Sequence, residues 1–205
     1  DAAGMAAAAD WLVSRLYGET GRNVGLAQLG QQWLQALAAL APAQPDERKP
    51  WYAWRLAVIA GQYGSYAAAW TLLELAEDAA RTVGDNRALA RIWNELASRW
   101  VTRGDLDQAL EIWERCVALN TAPDDEKERS VNLHQMANVY VTRGDLERAL
   151  GLYQESLAIQ EKLGDIRGKS ATLHAMAYVY VTRGDLERAL GLYQESLATD
   201  EKLGD

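Results

Sequence analysis

The chain has 205 residues, of which 49% are hydrophobic and 24% charged, a balance typical of folded proteins. Its single cysteine excludes an intramolecular disulfide framework and a thiolate zinc cluster. Acidic residues outnumber basic ones by 29 to 21, and no block of the chain is net basic, which argues against nucleic-acid binding. No stretch approaches 18 uninterrupted apolar residues, and the first residues lack the regions of a signal peptide. We therefore expect a cytoplasmic protein that does not enter a membrane.

The first fifty residues predict two helices without a regular repeat. Apolar residues at helical spacing predict one amphipathic helix over 3–17 and another over 24–40. Residues 41–50 carry three of the four prolines and predict a linker. We interpret 1–50 as a degenerate N-terminal helical hairpin with this linker, and a separate helical appendage is the alternative. The chain starts at Asp1 rather than methionine, which suggests a processed chain or an excised fragment.

A forty-residue repeat organises the remainder of the chain. The sequence VTRGDLERALGLYQESLA over 141–158 recurs unchanged over 181–198. Residues 131–165 and 171–205 differ at only six aligned positions, so these two copies are nearly identical. Two earlier copies are more divergent but keep a glycine at the same place. The periodicity predicts an array over 51–205 made of four repeats: 51–90, 91–130, 131–170 and 171–205.

The pattern within each repeat predicts two helices joined by a tight turn. Apolar residues at three- and four-residue steps over 129–142 predict the first helix. Gly144 suits the left-handed residue that ends a helix, and Asp145 suits the N-cap of the next helix. A second apolar face runs from Leu146 towards Gly164. Small residues allow close helix crossing, so we expect contact within each of three alanine pairs: Ala97 with Ala109, Ala137 with Ala149, and Ala177 with Ala189.

This pattern resembles the tetratricopeptide repeat family, in the forty-residue form of kinesin light chains, polarity adaptors and bacterial signalling sensors. The second repeat, 91–130, carries the family's spaced positions at Trp93, Leu96, Ala97, Trp100, Gly104, Ala109, Trp113 and Cys116. The resemblance implies an all-α, right-handed superhelical solenoid of antiparallel helix pairs. It also implies a non-catalytic scaffold or sensor segment that binds a protein or peptide in a concave groove.

The groove prediction rests on the first helix of each repeat, because stacked hairpins place these helices along the concave wall. Amide, imidazole and hydroxyl groups there can hydrogen-bond an extended peptide, with Trp54 or Tyr178 as an apolar anchor. An ordinary solvent-facing strip is the alternative. No lysine occurs at the predicted groove positions, which argues against the two-carboxylate clamp of some family members. The predicted peptide-binding residues are Trp54, Val58, Gln62, Asn94, Ser98, Thr102, His134, Asn138, Thr142, His174, Tyr178 and Thr182.

No set of residues points to catalysis or to a metal. His134 and His174 occupy equivalent places in adjacent repeats, but no carboxylate–histidine spacing supplies further ligands. Cys116 falls on a small-residue packing position, so we interpret it as a buried, inert thiol rather than a nucleophile. We therefore expect no enzyme activity, no cofactor and no bound metal.

Two alternative functions remain open. The resemblance also implies that such repeats can be the regulatory arm of a larger signalling protein with an NTPase switch, a protease or a transcription regulator. The other alternative is an oligomerisation module that self-associates through the C-terminal repeat. The chain stops after a second helix with no polar capping helix, so we expect an uncovered terminal face that includes Tyr180, Tyr193 and Leu197.

Overall fold

A computed structural model describes residues 49–62, 66–119 and 125–204. Within these ranges the chain forms helices joined by turns and no strand, which confirms the expected all-α fold. The chain divides into two compact units: the first unit ends at Leu96, and the second unit runs from Ala97 to the last described residue. The eight described helices are α1 (Lys49–Gln62), α2 (Tyr66–Val83), α3 (Asn86–Arg103), α4 (Leu106–Leu119), α5 (Glu126–Arg143), α6 (Leu146–Leu163), α7 (Ile166–Thr182) and α8 (Leu186–Gly204).

The helix α1 begins earlier than the sequence suggested. Lys49 and Pro50, which end the predicted linker, already belong to this helix. Proline is compatible with the first turn because the amide hydrogens there have no partner within the helix. The predicted helices over 3–17 and 24–40 lie outside the described residues.

The turn between α5 and α6 has the predicted glycine and aspartate geometry. Gly144 adopts φ 79°, in the left-handed region that favours glycine, and ends α5. The Asp145 side chain accepts a hydrogen bond from the backbone N–H of Arg148, which satisfies one free donor at the start of α6. Four further glycines with positive φ occupy turns at Gly84, Gly104, Gly164 and Gly184.

Contacts between α5 and α6 show that the two helices of this hairpin are antiparallel. Near the turn, the Asp145 N–H donates to the Tyr140 carbonyl over 2.9 Å. Farther along α6, the Ser156 hydroxyl donates to the Ser130 carbonyl over 2.7 Å. Partner numbers therefore fall along α5 as they rise along α6. The same serine contact recurs between α7 and α8, where the Ser196 hydroxyl donates to the Ser170 carbonyl.

Small residues lie at the helix crossings of the second unit, as predicted. Ala137 and Ala149 are fully buried in one core cluster with Tyr153, Met176 and Val179. Because Met176 and Val179 belong to α7, this cluster joins one hairpin to the next. A preceding cluster buries Ala97 and Ala109 together with the indole of Trp113. Alanine at these positions lets the backbones approach, and the larger side chains fill the space around them.

The first unit contains an aromatic and charged cluster. The indole N–H of Trp51 donates to Asp85 Oδ2 over 2.9 Å, which links α1 to the turn before α3. The guanidinium of Arg91 lies 5.2 Å from the Trp51 ring centre. Trp93 donates its indole N–H to Glu77 Oε1 in α2. These tryptophan contacts are structural, since they join elements of the same unit.

The last hairpin exposes apolar residues that the preceding hairpin buries. Leu190 is 59% exposed, whereas Leu150 at the same place in the preceding repeat is only 7% exposed. Leu197 is likewise exposed, while Tyr193 and Tyr180 are half-buried. Because the surrounding sequence is identical, the difference arises from the α7 residues that cover the earlier copy.

Candidate functional site

A cavity of about 150 Å³ lies between α3 and α5, within the second unit. Three predicted groove residues line it, namely Ser98, Asn138 and Thr142. Its apolar part includes the Trp113 ring from α4, which is 2% exposed and reaches the cavity from the core. The remaining lining residues are Val101, Gln135 and Val139. The cavity therefore combines an apolar interior with amide and hydroxyl groups, and none of these seven residues is charged.

The Asn138 side chain is held by contacts on both sides of its amide. Its Oδ1 atom accepts a hydrogen bond from the Tyr153 hydroxyl over 2.5 Å. Its Nδ2 atom donates to Gln135 Oε1 over 3.2 Å, which joins the two amides along one face of α5. Burial raises the pKa of Tyr153 to about 12, so this hydroxyl stays protonated and able to donate at neutral pH. The amide orientation is thus set before any ligand arrives.

His134 contacts the next hairpin through its imidazole ring. Its Nδ1 atom lies 3.0 Å from the Thr172 hydroxyl of α7, and its ring meets the Tyr153 ring edge-on. Burial lowers the pKa of His134, because the charged imidazolium loses solvation in this half-buried place. His174 is exposed and has its ring centre 4.9 Å from that of Tyr193.

Three predicted threonines share one arrangement on the surface of their helices. The Thr142 hydroxyl donates to the Asn138 carbonyl over 3.0 Å and so uses its own proton within the helix. Thr102 and Thr182 donate in the same way to carbonyls four residues earlier. Each hydroxyl oxygen keeps acceptor capacity for a ligand N–H. Tyr178 is also exposed, at the place that Asn138 holds in the preceding repeat.

The remaining predicted groove residues belong to the first unit. Trp54 is half-buried in α1, and its ring lies edge-on to Trp51 with 6.1 Å between centres. Its indole N–H is buried and has no hydrogen-bond partner among the described residues. Val58 and Asn94 are half-buried, and the side chain of Gln62 lies outside the described part of the structure.

A second cavity, of about 350 Å³, lies where α6, α7 and α8 meet and contains none of the predicted groove residues. Lys169 lines it and donates to Glu161 over 2.7 Å, with Glu195 3.0 Å away. Hydrogen bonds to these two carboxylates raise the pKa of Lys169. The amide of Gln160 packs beside Gly168, where an added Cβ would lie only 3.1 Å from the amide carbon. These contacts join Lys169 to two carboxylates and pack Gln160 against Gly168.

Cys116 is fully buried in α4, as predicted, and burial raises the pKa of its thiol to about 12. A thiol with such a pKa is almost entirely protonated at neutral pH and is a poor nucleophile. Over the described ranges, no group of three or more histidine, cysteine, aspartate or glutamate residues could hold a metal ion. The helices that the structure describes include none long and apolar enough to span a membrane.

Four of the seven residues that line the α3/α5 cavity were not among the predicted groove residues. These four residues are Val101, Trp113, Gln135 and Val139. Gln135 carried a signal, because it differs from Ala175 at the equivalent place in the nearly identical repeat. A difference between otherwise matching repeats marks a position that the shared scaffold does not require.

Comparison with known proteins supports the repeat assignment. Residues 128–202, which span most of α5 through α8, match the family described as Tetratricopeptide repeat. These residues form tetratricopeptide repeats. A comparison with curated protein sequences found no match for the chain. The tetratricopeptide assignment therefore rests on the family match, the forty-residue period and the paired helices.

Solved structures share the tetratricopeptide-like fold at low sequence identity. BtubC (BKLC) from P. vanneervenii has a TM-score of 0.74 and 19% identity, over 89% of this chain and 75% of that one. A kinesin light chain-like protein with nearly identical TPR-like repeats from Podosopora anserina has a TM-score of 0.71 and 22% identity, over 96% and 95%.

A third solved structure is that of NprR in complex with its cognate peptide NprX. It has a TM-score of 0.62 and 18% identity, over 87% of this chain and 50% of NprR. The chain thus spans half the length of NprR. At these identities the three likenesses establish the helical-repeat fold alone.

Proposed function

We propose that this protein is a non-catalytic scaffold or sensor segment that binds a peptide along the first helices of its repeats. The observation that carries the proposal is the α3/α5 cavity, where Ser98, Asn138 and Thr142 meet above an apolar interior. A concave site of this kind, with a few polar groups around apolar walls, suits a peptide side chain and its neighbouring backbone. The peptide complex of NprR, a protein of the same fold, also supports a peptide partner.

Peptide binding can be tested by panning a random peptide library, displayed on phage, against the immobilised chain. The blocking variant carries Ser98→Arg and Thr142→Arg, because both positions are exposed on the cavity side. The matched control carries Gln108→Arg and Gln154→Arg, at exposed positions on the second helices α4 and α6. We expect peptides that bind the wild type and the control but lose at least about tenfold in affinity for the blocking variant, which corresponds to about 1.4 kcal/mol. Equal binding to both variants, or no enriched peptide, would contradict the proposal.

A second candidate function is self-association through the face of α7 and α8. The supporting observation is the contrast between Leu190, 59% exposed, and Leu150, 7% exposed in an identical local sequence. In the preceding repeat this face is covered by the first helix of the next hairpin, so we propose that a helix of the same kind covers it here. That helix is supplied by a second copy or by a further repeat of a longer protein.

Light scattering over a range of concentrations tests self-association directly. The variant Leu190→Lys with Leu197→Lys places charge on the exposed face, and Val131→Lys serves as a control at another exposed apolar position. We expect the wild type and the control to gain mass with concentration while the double variant stays monomeric. A wild type that remains monomeric at every concentration would exclude self-association by this chain.

A role as the regulatory arm of a larger signalling protein is the third proposal. It is favoured by the length of NprR, of which this chain covers only half. The sequence that flanks the chain in its gene tests it. An adjacent NTPase, protease or DNA-binding domain would support this role, and flanking sequence without any further domain would contradict it.

A further inference from the structure

We propose that the α3/α5 cavity selects one uncharged aliphatic side chain, of leucine or methionine size, from the bound peptide. This inference rests on the proposed peptide-binding function and adds the chemistry that the site recognises. It follows from the size of the cavity, the absence of charge on its lining, its two linked amides and a comparison between the chain's own repeats.

The cavity has room for a side chain of intermediate size. Its volume is about 150 Å³, and an apolar protein cavity of roughly that volume can hold a benzene molecule. Benzene has six heavy atoms, whereas the leucine and methionine side chains each have four. An indole is larger than benzene, so a tryptophan side chain would project out of this partly open cavity.

The chemistry of the walls favours an aliphatic group over a charged one. The Trp113 ring lines the apolar part together with Val101 and Val139, and Trp113 and Val139 are each 2% exposed. No lining residue carries a charge that could pair with an ionised side chain. Moving an ammonium or carboxylate into such surroundings costs solvation, and no opposite charge on the lining offsets that cost. Lysine and glutamate are therefore disfavoured at this position of the peptide.

The two amides hold the peptide bond next to the inserted side chain. Asn138 uses Oδ1 for Tyr153 and one Nδ2 proton for Gln135, which leaves its second Nδ2 proton. The Nε2 group of Gln135 has no hydrogen-bond partner among the described residues. Both groups are donors, so they fit a peptide carbonyl, while the Thr142 oxygen can accept a peptide N–H.

The nearly identical last repeat shows that this chemistry is specific to one place in the array. Only six aligned positions differ between 131–165 and 171–205, and two of them are cavity residues. Gln135 is replaced by Ala175 and Asn138 by Tyr178, whereas the scaffold residues Val139 and Thr142 have identical equivalents. The two repeats thus share a scaffold, and two of their six differences lie on the cavity lining.

The test uses the full chain and four blocked pentapeptides, acetyl-Gly-Gly-X-Gly-Gly-amide, with X as leucine, methionine, lysine or glutamate. Binding is followed by NMR through the side-chain amide signals of Gln135 and Asn138 at millimolar peptide. We expect the leucine and methionine peptides to shift these signals with at least about tenfold higher affinity than the charged peptides, the order expected for a side chain in a fitted apolar pocket. Equal affinities for all four peptides, or no shift with the leucine peptide, would overturn the assignment.

Two substitutions and one control substitution test whether the selection depends on this cavity. Ser98→Trp fills the space from an exposed position and should abolish binding of the leucine peptide, whereas Gln154→Trp on the exposed face of α6 should leave it unchanged. Gln135→Glu adds a carboxylate and should invert the preference towards lysine. Leucine binding that survives Ser98→Trp would place the side-chain site elsewhere. Circular dichroism and thermal unfolding confirm that each variant is folded.

The failure of this inference can be told apart from the failure of peptide binding itself. Library peptides that depend on Ser98 and Thr142 but show no enrichment of leucine or methionine would retain the groove and reject the side-chain selection. A library that yields no groove-dependent peptide would reject the proposed function.

Discussion

Tyr153 in α6 donates its hydroxyl proton to Asn138 Oδ1 in α5 over 2.5 Å. The tyrosine is 2% exposed and belongs to the core, whereas Asn138 is half-buried and lines the α3/α5 cavity. This bond lets the packing between two helices fix the orientation of an amide at the candidate site. The site is therefore coupled to the stability of its own hairpin.

Removing the Tyr153 hydroxyl should destabilise the protein. We expect Tyr153→Phe to lower the free energy of unfolding by about 1–2 kcal/mol, because the bond is lost and the Asn138 oxygen is left without its donor. Tyr193→Phe is the matched control, since Tyr178 replaces the asparagine in that repeat, and it should change stability by less. Urea unfolding followed by circular dichroism measures both. Equal effects of the two substitutions would mean that the hydrogen bond contributes nothing measurable.

His134 should make the stability depend on pH below neutrality. Burial lowers the pKa of His134 in the folded state, so its contribution is present above the unfolded-state pKa of about 6.5 and is lost as pH falls. The groups that contact its ring are the Thr172 hydroxyl and the Tyr153 phenol, and both stay neutral in this range. We expect the wild type to lose stability between about pH 7.5 and 5, a range that includes the reference pKa of histidine. This loss should be steeper than that of the His134→Gln variant. The free energy of unfolding is measured against pH for the wild type, for His134→Gln and for the control His174→Gln. Parallel curves for the wild type and His134→Gln would contradict this prediction.

Alanine should have opposite effects at two glycines of one repeat. Gly144 has φ 79°, so Gly144→Ala should cost about 1 kcal/mol through backbone strain alone, since nothing lies within 4 Å of the added Cβ. Gly151 is an exposed residue inside α6 with the same open surroundings. Gly151→Ala should therefore stabilise the protein by about 0.5–1 kcal/mol. Thermal unfolding of both variants measures the effects, and shifts of the same sign would refute the turn geometry.

A larger residue at the helix crossing should overpack the core. Ala149 is fully buried beside Ala137, so Ala149→Leu has no space for its three additional carbons. We expect it to lower stability by about 1–3 kcal/mol. Ala158→Leu, at an exposed position of the same helix, should change stability by less than about 0.5 kcal/mol. An unchanged melting midpoint for Ala149→Leu would show that the two helices do not meet at this position.

Cys116 should resist thiol reagents while the protein is folded. Burial raises the pKa of its thiol to about 12, so little thiolate exists at pH 8, and the sulfur is out of reach of a reagent. We expect labelling by iodoacetamide to be at least about a hundredfold slower in the native protein than in urea, since access requires unfolding. Mass spectrometry measures the rate in both states. Fast labelling of the native chain would indicate that the thiol is accessible.

The sequence predicted the local elements of the repeat well. Helical spacing identified both helices of the hairpin that α5 and α6 form, and Gly144 with Asp145 identified the turn between them. These features are local, because a left-handed residue and a helix N-cap need only a few neighbouring residues. The small residues at the crossing were also predictable, since Ala149 recurs at the same place in each copy.

The candidate site was only partly predictable. The repeat pattern identified Asn138 and Thr142 as non-core residues of a first helix, but it could not show that Trp113 reaches the same cavity from a second helix. His134 illustrates the other limit, because its Thr172 partner lies 38 residues away in the next hairpin. Such contacts depend on how consecutive hairpins pack, and no local pattern contains that information.

The amino-acid order therefore determined the helices, their turns and their forty-residue recurrence, since these arise from interactions between residues close together along the chain. Only the folded arrangement decided which identical residues are covered. Leu150 and Leu190 have the same neighbours in sequence, yet α7 covers the first and none of the described helices covers the second. Burial is a property of what packs from outside a repeat, so equal sequences acquire different surfaces.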